Sequence, residues 1–148
     1  MLKTLSLLLM SLVALPNAHA GKTLLLADAG VAWSDNQQLN EVGARVGYHM
    51  TLGPLFVGPE AGFHRFSGGA NGSTDLVHAG VRGGLDVLTA LSLFIRREGI
   101  TSEQSGMGYG LSYDFNKVPG ISAGVHGAMI ELNGTWMPNV GVHGGLRF

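Results

Sequence analysis

The sequence predicts an all-β fold, an eight-stranded antiparallel up-and-down β-barrel that crosses a membrane with its strands. Three observations lead there. After the first twenty residues, apolar and polar side chains alternate with a period of two, and helical periodicity is absent. All 24 glycines lie in that later part, spread among Val, Leu, Ala and Tyr rather than gathered in a linker. The chain then finishes on an alternating strand, Val140 to Phe148, with an aromatic last residue.

Residues 1–20 are expected to be a signal peptide. Lys3 gives the positive start, Leu5 to Leu15 an apolar stretch, and Ala18-His19-Ala20 an A-x-A cleavage site that makes Gly21 the first mature residue. The apolar stretch is too short for a membrane anchor, which needs about 20 residues. The mature part, residues 21–148, has the length of one domain, here a single outer-membrane β-barrel. Setting Lys3 aside from nine Lys/Arg leaves eight against ten Asp/Glu, a formal charge of −2. That balance excludes the concentrated basic face of a nucleic-acid binder. There is no cysteine, hence no disulfide staple and no lipid-attachment site. Stability must come from a core or from lipid.

The strands follow in order. Thr23–Trp33 is the first, less regular than the second, where Val42, Ala44, Val46, Tyr48 and Met50 oppose Glu41, Gly43, Arg45, Gly47 and His49. Leu55–Phe66 is the third. In the fourth, Val77, Ala79, Val81, Leu85 and Val87 oppose His78, Gly80, Arg82, Gly84 and Asp86. Ala90–Arg97 is the fifth. In the sixth, Met107, Tyr109, Leu111, Tyr113 and Phe115 alternate with Gly108, Gly110, Ser112 and Asp114. Ile121–Ile130 and Val140–Phe148 complete the set. Short turns at 50–54, 88–89 and 116–120 alternate with more polar and generally longer connections at 34–38, 67–74, 98–105 and 131–137. Short turns on one side and longer loops on the other is the outer-membrane layout.

One face of these strands suits lipid and the other a cramped lumen. Backbone groups in hydrocarbon must all be paired, so the sheet has to close. Eight strands leave an interior that side chains fill, which explains inward glycines alternating with occasional long polar groups. Trp33, Tyr48, Phe63, Tyr109, Tyr113 and Phe115 face outward as interface girdles. The expected lumen network is Asp28, Arg45, Glu60, Arg82, Asp86, Arg96, Asp114 and Arg147. A hairpin centred on Thr51–Pro54 sets Arg45 opposite Glu60, a pairing that a dry interior demands.

The mature chain resembles the small eight-stranded outer-membrane barrels of the OmpA transmembrane-domain and OmpX type. The motif is the terminal strand Val140-Gly141-Val142-His143-Gly144-Gly145-Leu146-Arg147-Phe148. The resemblance implies that Phe148 serves as the signal read by barrel-assembly machinery, and that outer-membrane lipid and lipopolysaccharide are the surroundings. The connections are short beside those of adhesive members, which argues against an adhesin.

All five mature histidines, His49, His64, His78, His126 and His143, fall on the inward register. Hairpin counting places His64 near His78, and His126 near His143. Without cysteine or an H-E-x-x-H spacing no metal site is expected, and the histidines read as polar lumen filling. Nothing in the sequence calls for a cofactor. Ser112, His126 and Asp114 lie on adjacent strands, but Ser112 is expected opposite Gly124, and no G-x-S-x-G elbow exists. The principal reading is a non-enzymatic barrel in envelope structure or surface interaction. The alternatives are a lipid A-modifying barrel enzyme, and a soluble periplasmic lipocalin-like binder of an apolar ligand. The last is distinguished by its faces: soluble barrels are apolar inside, membrane barrels outside.

Overall fold

Period-two alternation becomes a pleat with one side turned in and the other out, and repeated eight times it closes on itself. In the computed structural model the described residues are 21–69, 72–86, 90–101, 105–115 and 118–148. The expected leader, 1–20, lies outside them, as does the side chain of Asp86. The strands are β1 (Gly21–Ser34), β2 (Gln37–Leu52), β3 (Leu55–Gly69), β4 (Gly72–Asp86), β5 (Ala90–Glu98), β6 (Gly106–Asp114), β7 (Ile121–Leu132) and β8 (Thr135–Arg147). Each pairs antiparallel with the next, and β8 returns to β1. Phe148 extends that seam: its N–H donates to the Thr23 carbonyl at 3.0 Å and its carbonyl accepts from the Thr23 N–H at 2.6 Å.

The connections differ from expectation. Segments 34–38 and 131–137 are not longer loops but strand ends joined by two-residue turns, Asp35-Asn36 and Asn133-Gly134. All four turn residues have positive φ, 48°, 63°, 49° and 86°. That conformation matches the strand twist and draws on Asn, Asp and Gly. In the same way β3 and β4 continue to Gly69 and from Gly72, across most of the expected 67–74 loop, with a register irregularity after Phe66. The 98–105 connection does lie between strands. Strands β1–β4 therefore run 14–16 residues, whereas β5 and β6 have nine each. Crossing a membrane takes roughly 9–11, so the first two hairpins have residues to spare beyond it.

The outer surface is apolar. Leu25, Val42, Val46, Val81, Leu93, Ile95, Leu111, Val125, Val140 and Val142 stand at least 45% exposed, and all six expected girdle aromatics also face out. The arrangement is the reverse of a soluble lipocalin-like barrel, whose outside is polar.

Candidate functional site in the barrel lumen

Large inward side chains face glycine across the ladder. Arg45 is opposite Gly62; Glu60 lies between Gly47 and Gly80; His143 is opposite Gly124; Arg96 lies between Gly80 and Gly108. Space is the reason. A Cβ on Gly62 would come 2.7 Å from His78 Cε1 and 2.8 Å from Arg45 Cβ, closer than carbon atoms tolerate. The glycines are the clearance that lets long polar groups occupy a narrow barrel.

The middle of the lumen holds two polar groups of side chains. In the first, Glu60 Oε2 accepts from Arg82 Nε at 2.7 Å and lies 3.7 Å from Arg45 Nη1. Arg45 Nη2 stands 3.1 Å from Asp28 Oδ1. Arg82 Nη1 donates to Ser112 Oγ at 2.6 Å and to Ser92 Oγ at 3.2 Å. Ser112 Oγ donates to Asp114 Oδ2 at 3.0 Å, and His143 Nε2 lies 2.6 Å from Asp114 Oδ1. In the second group, Glu41 bonds His64 and accepts from Asn139 Nδ2 at 2.5 Å, while Arg96 donates to Glu98. His64 and His78 pack with ring centroids 4.5 Å apart.

Of the expected network, Asp28, Arg45, Glu60, Arg82, Arg96 and Asp114 are buried together in the lumen, with two corrections. Arg45 is not opposite Glu60, because β2 and β3 pair two residues out of the assumed register; the contact is diagonal. Ser112 is opposite His126 and not Gly124, which instead faces Asp114. The polar groups still do not form a catalytic triad, in which histidine must stand between carboxylate and hydroxyl. Here Asp114 stands between Ser112 and His143, and Arg82 also occupies the serine oxygen. Arg147 is half-buried at the mouth beside Thr23 and Phe148, and His49, likewise half-buried, stacks on Phe56 at 4.6 Å.

Glu98, Ser92, Ser122 and Asn139 also belong to the network, and Glu41, on the inward face of β2 by its alternation, joins it. Continuing the period of two finds Glu41 four residues before Arg45, and Glu98 two after Arg96. The lumen is also less uniformly polar than expected. Towards the mouth opposite the Thr23–Phe148 end, Ala32, Phe66, Leu76, Phe94, Ala128, Ile130 and Met137 pack into a buried apolar cluster, flanked by Leu39 and Leu132. Phe94 links it to the charges: the guanidinium carbons of Arg82 and Arg96 lie 4.9 and 5.0 Å from its ring centroid. Above the cluster is a cup of about 360 Å³, rimmed by Ser34, Gln37, Thr74 and Asn133.

No protein-family model matches the chain, and no curated protein matches it in sequence. Solved structures do match in fold. Neisserial surface protein A is similar at a TM-score of 0.60 with 12% identity, over 86% of this chain and 95% of that one. Ail, the attachment invasion locus protein of Yersinia pestis, crystallised with the heparin analogue sucrose octasulfate, is similar at 0.55 with 14% identity, over 88% and 99%. The backbone structure of Ail in a phospholipid bilayer nanodisc is similar at 0.53 with 14% identity, over 87% and 100%. With its closed ladder, apolar exterior and charged interior, the chain has the fold of the small eight-stranded outer-membrane barrels.

Proposed function

We propose that the protein is a non-enzymatic barrel of the bacterial outer membrane, exported by a leader cleaved after Ala20, with a structural role in the envelope. The observation that carries this reading is the closed lumen beneath an apolar exterior. A buried cluster from Ala32 to Met137 stands above ion pairs that fill the middle of the barrel. Side chains so packed hold the wall rigid and oppose passage of solute. On the outside, exposed Arg65 lies towards the mouth opposite Phe148, and exposed Arg97 is the last residue but one of the short strand β5. Arg65 forms two hydrogen bonds to Asp75, at 2.7 and 2.8 Å. Lipopolysaccharide phosphates are the chemistry these guanidiniums suit in the outer leaflet. The tight turns Asp35-Asn36 and Asn133-Gly134 offer little surface for gripping a large partner.

Cell fractionation with heat-modifiable gel migration, followed by planar-bilayer recording, tests this reading. Expected are recovery in the outer membrane, a shift on boiling and no steady single-channel current. Recovery as a soluble periplasmic protein, or large stable currents, overturns it.

A further inference from the structure

The fully buried charges of the lumen do not balance. Among the described residues, Asp28, Glu41, Glu60, Glu98 and Asp114 are buried against only Arg45, Arg82 and Arg96. Two negative charges are left over if the histidines are neutral. Half-buried Lys22 and Arg147 line the cavity at the Phe148 end; among the fully buried groups uncompensated charge is costly, which favours a further cation there.

One place gathers the means to hold it. A carboxylate oxygen of Asp28 (β1), a ring nitrogen of His126 (β7) and a ring nitrogen of His143 (β8) all lie within 4.8 Å of one another. His126 Nδ1 is 4.0 Å from Asp28 Oδ1, and the two imidazoles stack with centroids 5.8 Å apart. All three side chains are more than nine-tenths buried, and three of their polar atoms have no hydrogen-bond partner: Asp28 Oδ2, His126 Nδ1 and His143 Nδ1.

Arg45 Nη2 lies 3.1 Å from Asp28 Oδ1, which leaves Oδ2 as the oxygen open to a ligand. His143 Nε2 faces Asp114 Oδ1 at 2.6 Å, and His126 Nε2 faces Glu41 Oε2 at 3.8 Å. A carboxylate hydrogen-bonded at Nε2, as Asp114 is at His143, is the usual second contact of a histidine that binds a metal through Nδ1. Glycine makes the room: Gly124 faces His143 and Gly141 faces His126 across the ladder. Ligand atoms around a tetrahedral zinc at ~2.0–2.1 Å stand roughly 3.3 Å apart, so the three side chains need draw in by about 1.5 Å at most. A small cavity at the Phe148 end, lined by Arg45, Asp114 and Ser122, approaches this layer.

We propose that Asp28, His126 and His143 form a binding site for one divalent first-row transition ion, of which Zn²⁺ is the natural occupant by ligand type. The dication offsets the two surplus carboxylates and ties β1, β7 and β8 together across the closing seam. The proposal is independent of what the barrel does at the cell surface. The three ligands come from positions 28, 126 and 143, so no local spacing in the sequence announces them.

The test is metal content and Co²⁺ loading of the purified folded protein, stripped with chelator and checked for fold by heat-modifiable migration. Expected is one Co²⁺ per chain with visible d–d absorption, displaced by Zn²⁺. His126→Asn and His143→Asn should each weaken Co²⁺ binding at least 100-fold, Asp114→Asn about 10–100-fold through His143, and His49→Asn not at all. If the ligand variants fail to fold, paramagnetic shifts of the histidine ring protons on Co²⁺ loading of the unaltered protein give the same answer: those of His126 and His143 should move strongly and those of His49 should not. Two results overturn the proposal: no stoichiometric Co²⁺ binding, with the charge met by protonated histidines instead, or binding undiminished when His126 and His143 are replaced together.

Discussion

Arg45 reaches Glu60 diagonally, at 3.7 Å from Nη1 to Oε2, while Arg82 takes the same carboxylate oxygen at 2.7 Å. One carboxylate therefore joins guanidiniums from both neighbouring strands. The shorter contact predicts which arginine is coupled more strongly. Removing one partner of a buried pair typically costs about 3–5 kcal/mol, because the other charge is left without compensation. Arg82→Met should fall in that range. Arg45→Met should fall in that range as well, because it strips Asp28 of its guanidinium at 3.1 Å; the two arginines differ in their coupling to Glu60.

Double-mutant cycles with Glu60→Gln, read by unfolding in detergent or lipid, check the order. The Arg82–Glu60 coupling should exceed the Arg45–Glu60 coupling, and both double variants should lose less than the sum of their singles. Additive effects in both cycles would remove Glu60 as the bridge.

The assignment of faces predicts the effect of a charge outside. Val46 lies near the middle of β2 and is 50% exposed on the apolar surface. Val46→Arg should cost about 2–4 kcal/mol if it meets the bilayer midplane. Thr135→Arg, at the turn end of β8, should leave folding into lipid nearly unchanged. Equal tolerance of both substitutions would mean that Val46 does not face hydrocarbon.

Faces were legible in the sequence, and register was not. Alternation assigns each residue a side, which is why Asp28, Arg45, Glu60, Arg82, Arg96 and Asp114 were all found inward. It says nothing about how far one strand slides along the next. That slide depends on turn geometry, and the two-residue offset between Arg45 and Glu60 follows from pairing Leu52 with Leu55 around Gly53-Pro54. Histidine pairs survived the error because His64 and His78 lie on adjacent strands with a neighbour's tolerance. Contacts across the lumen were beyond reach, since Asn139–Glu41 and His126–Asp28 join positions about a hundred residues apart. The apolar cluster is illegible for another reason: Phe66 and Ile130 close their expected strands and Leu76 stands just before one, where the alternation gives out.

The tight turns carry their own prediction. Asn133-Gly134 and Asp35-Asn36 require positive φ at both residues. A β-branched residue at such a position costs roughly 1–2 kcal/mol from the clash of Cβ with the carbonyl. Gly134→Val should destabilise the barrel by about that amount, whereas Asn36→Gly should be neutral or slightly stabilising. Thermal unfolding in detergent separates the two. If Gly134→Val is silent, the turn is not held in this conformation.

The last prediction concerns closure. Among the described residues Phe148 is the most exposed of the large apolar side chains, at 72%, yet its backbone makes two hydrogen bonds to Thr23 and extends the seam between β8 and β1. Two roles are therefore separable at this residue. The side chain offers an aromatic to lipid or to assembly machinery, and the main chain completes the ladder. Phe148→Asp keeps the backbone pair and removes the aromatic; deleting Phe148 removes both. If recognition of the aromatic governs assembly, the two variants should lose membrane yield in cells to a similar extent. In detergent refolding without machinery, Phe148→Asp should then fold at close to the normal yield, and the deletion should be less stable by the loss of two hydrogen bonds, about 1–3 kcal/mol. Fractionation and refolding measured side by side separate these outcomes. Normal membrane yield for Phe148→Asp would show that the aromatic is not read, and that only the seam matters.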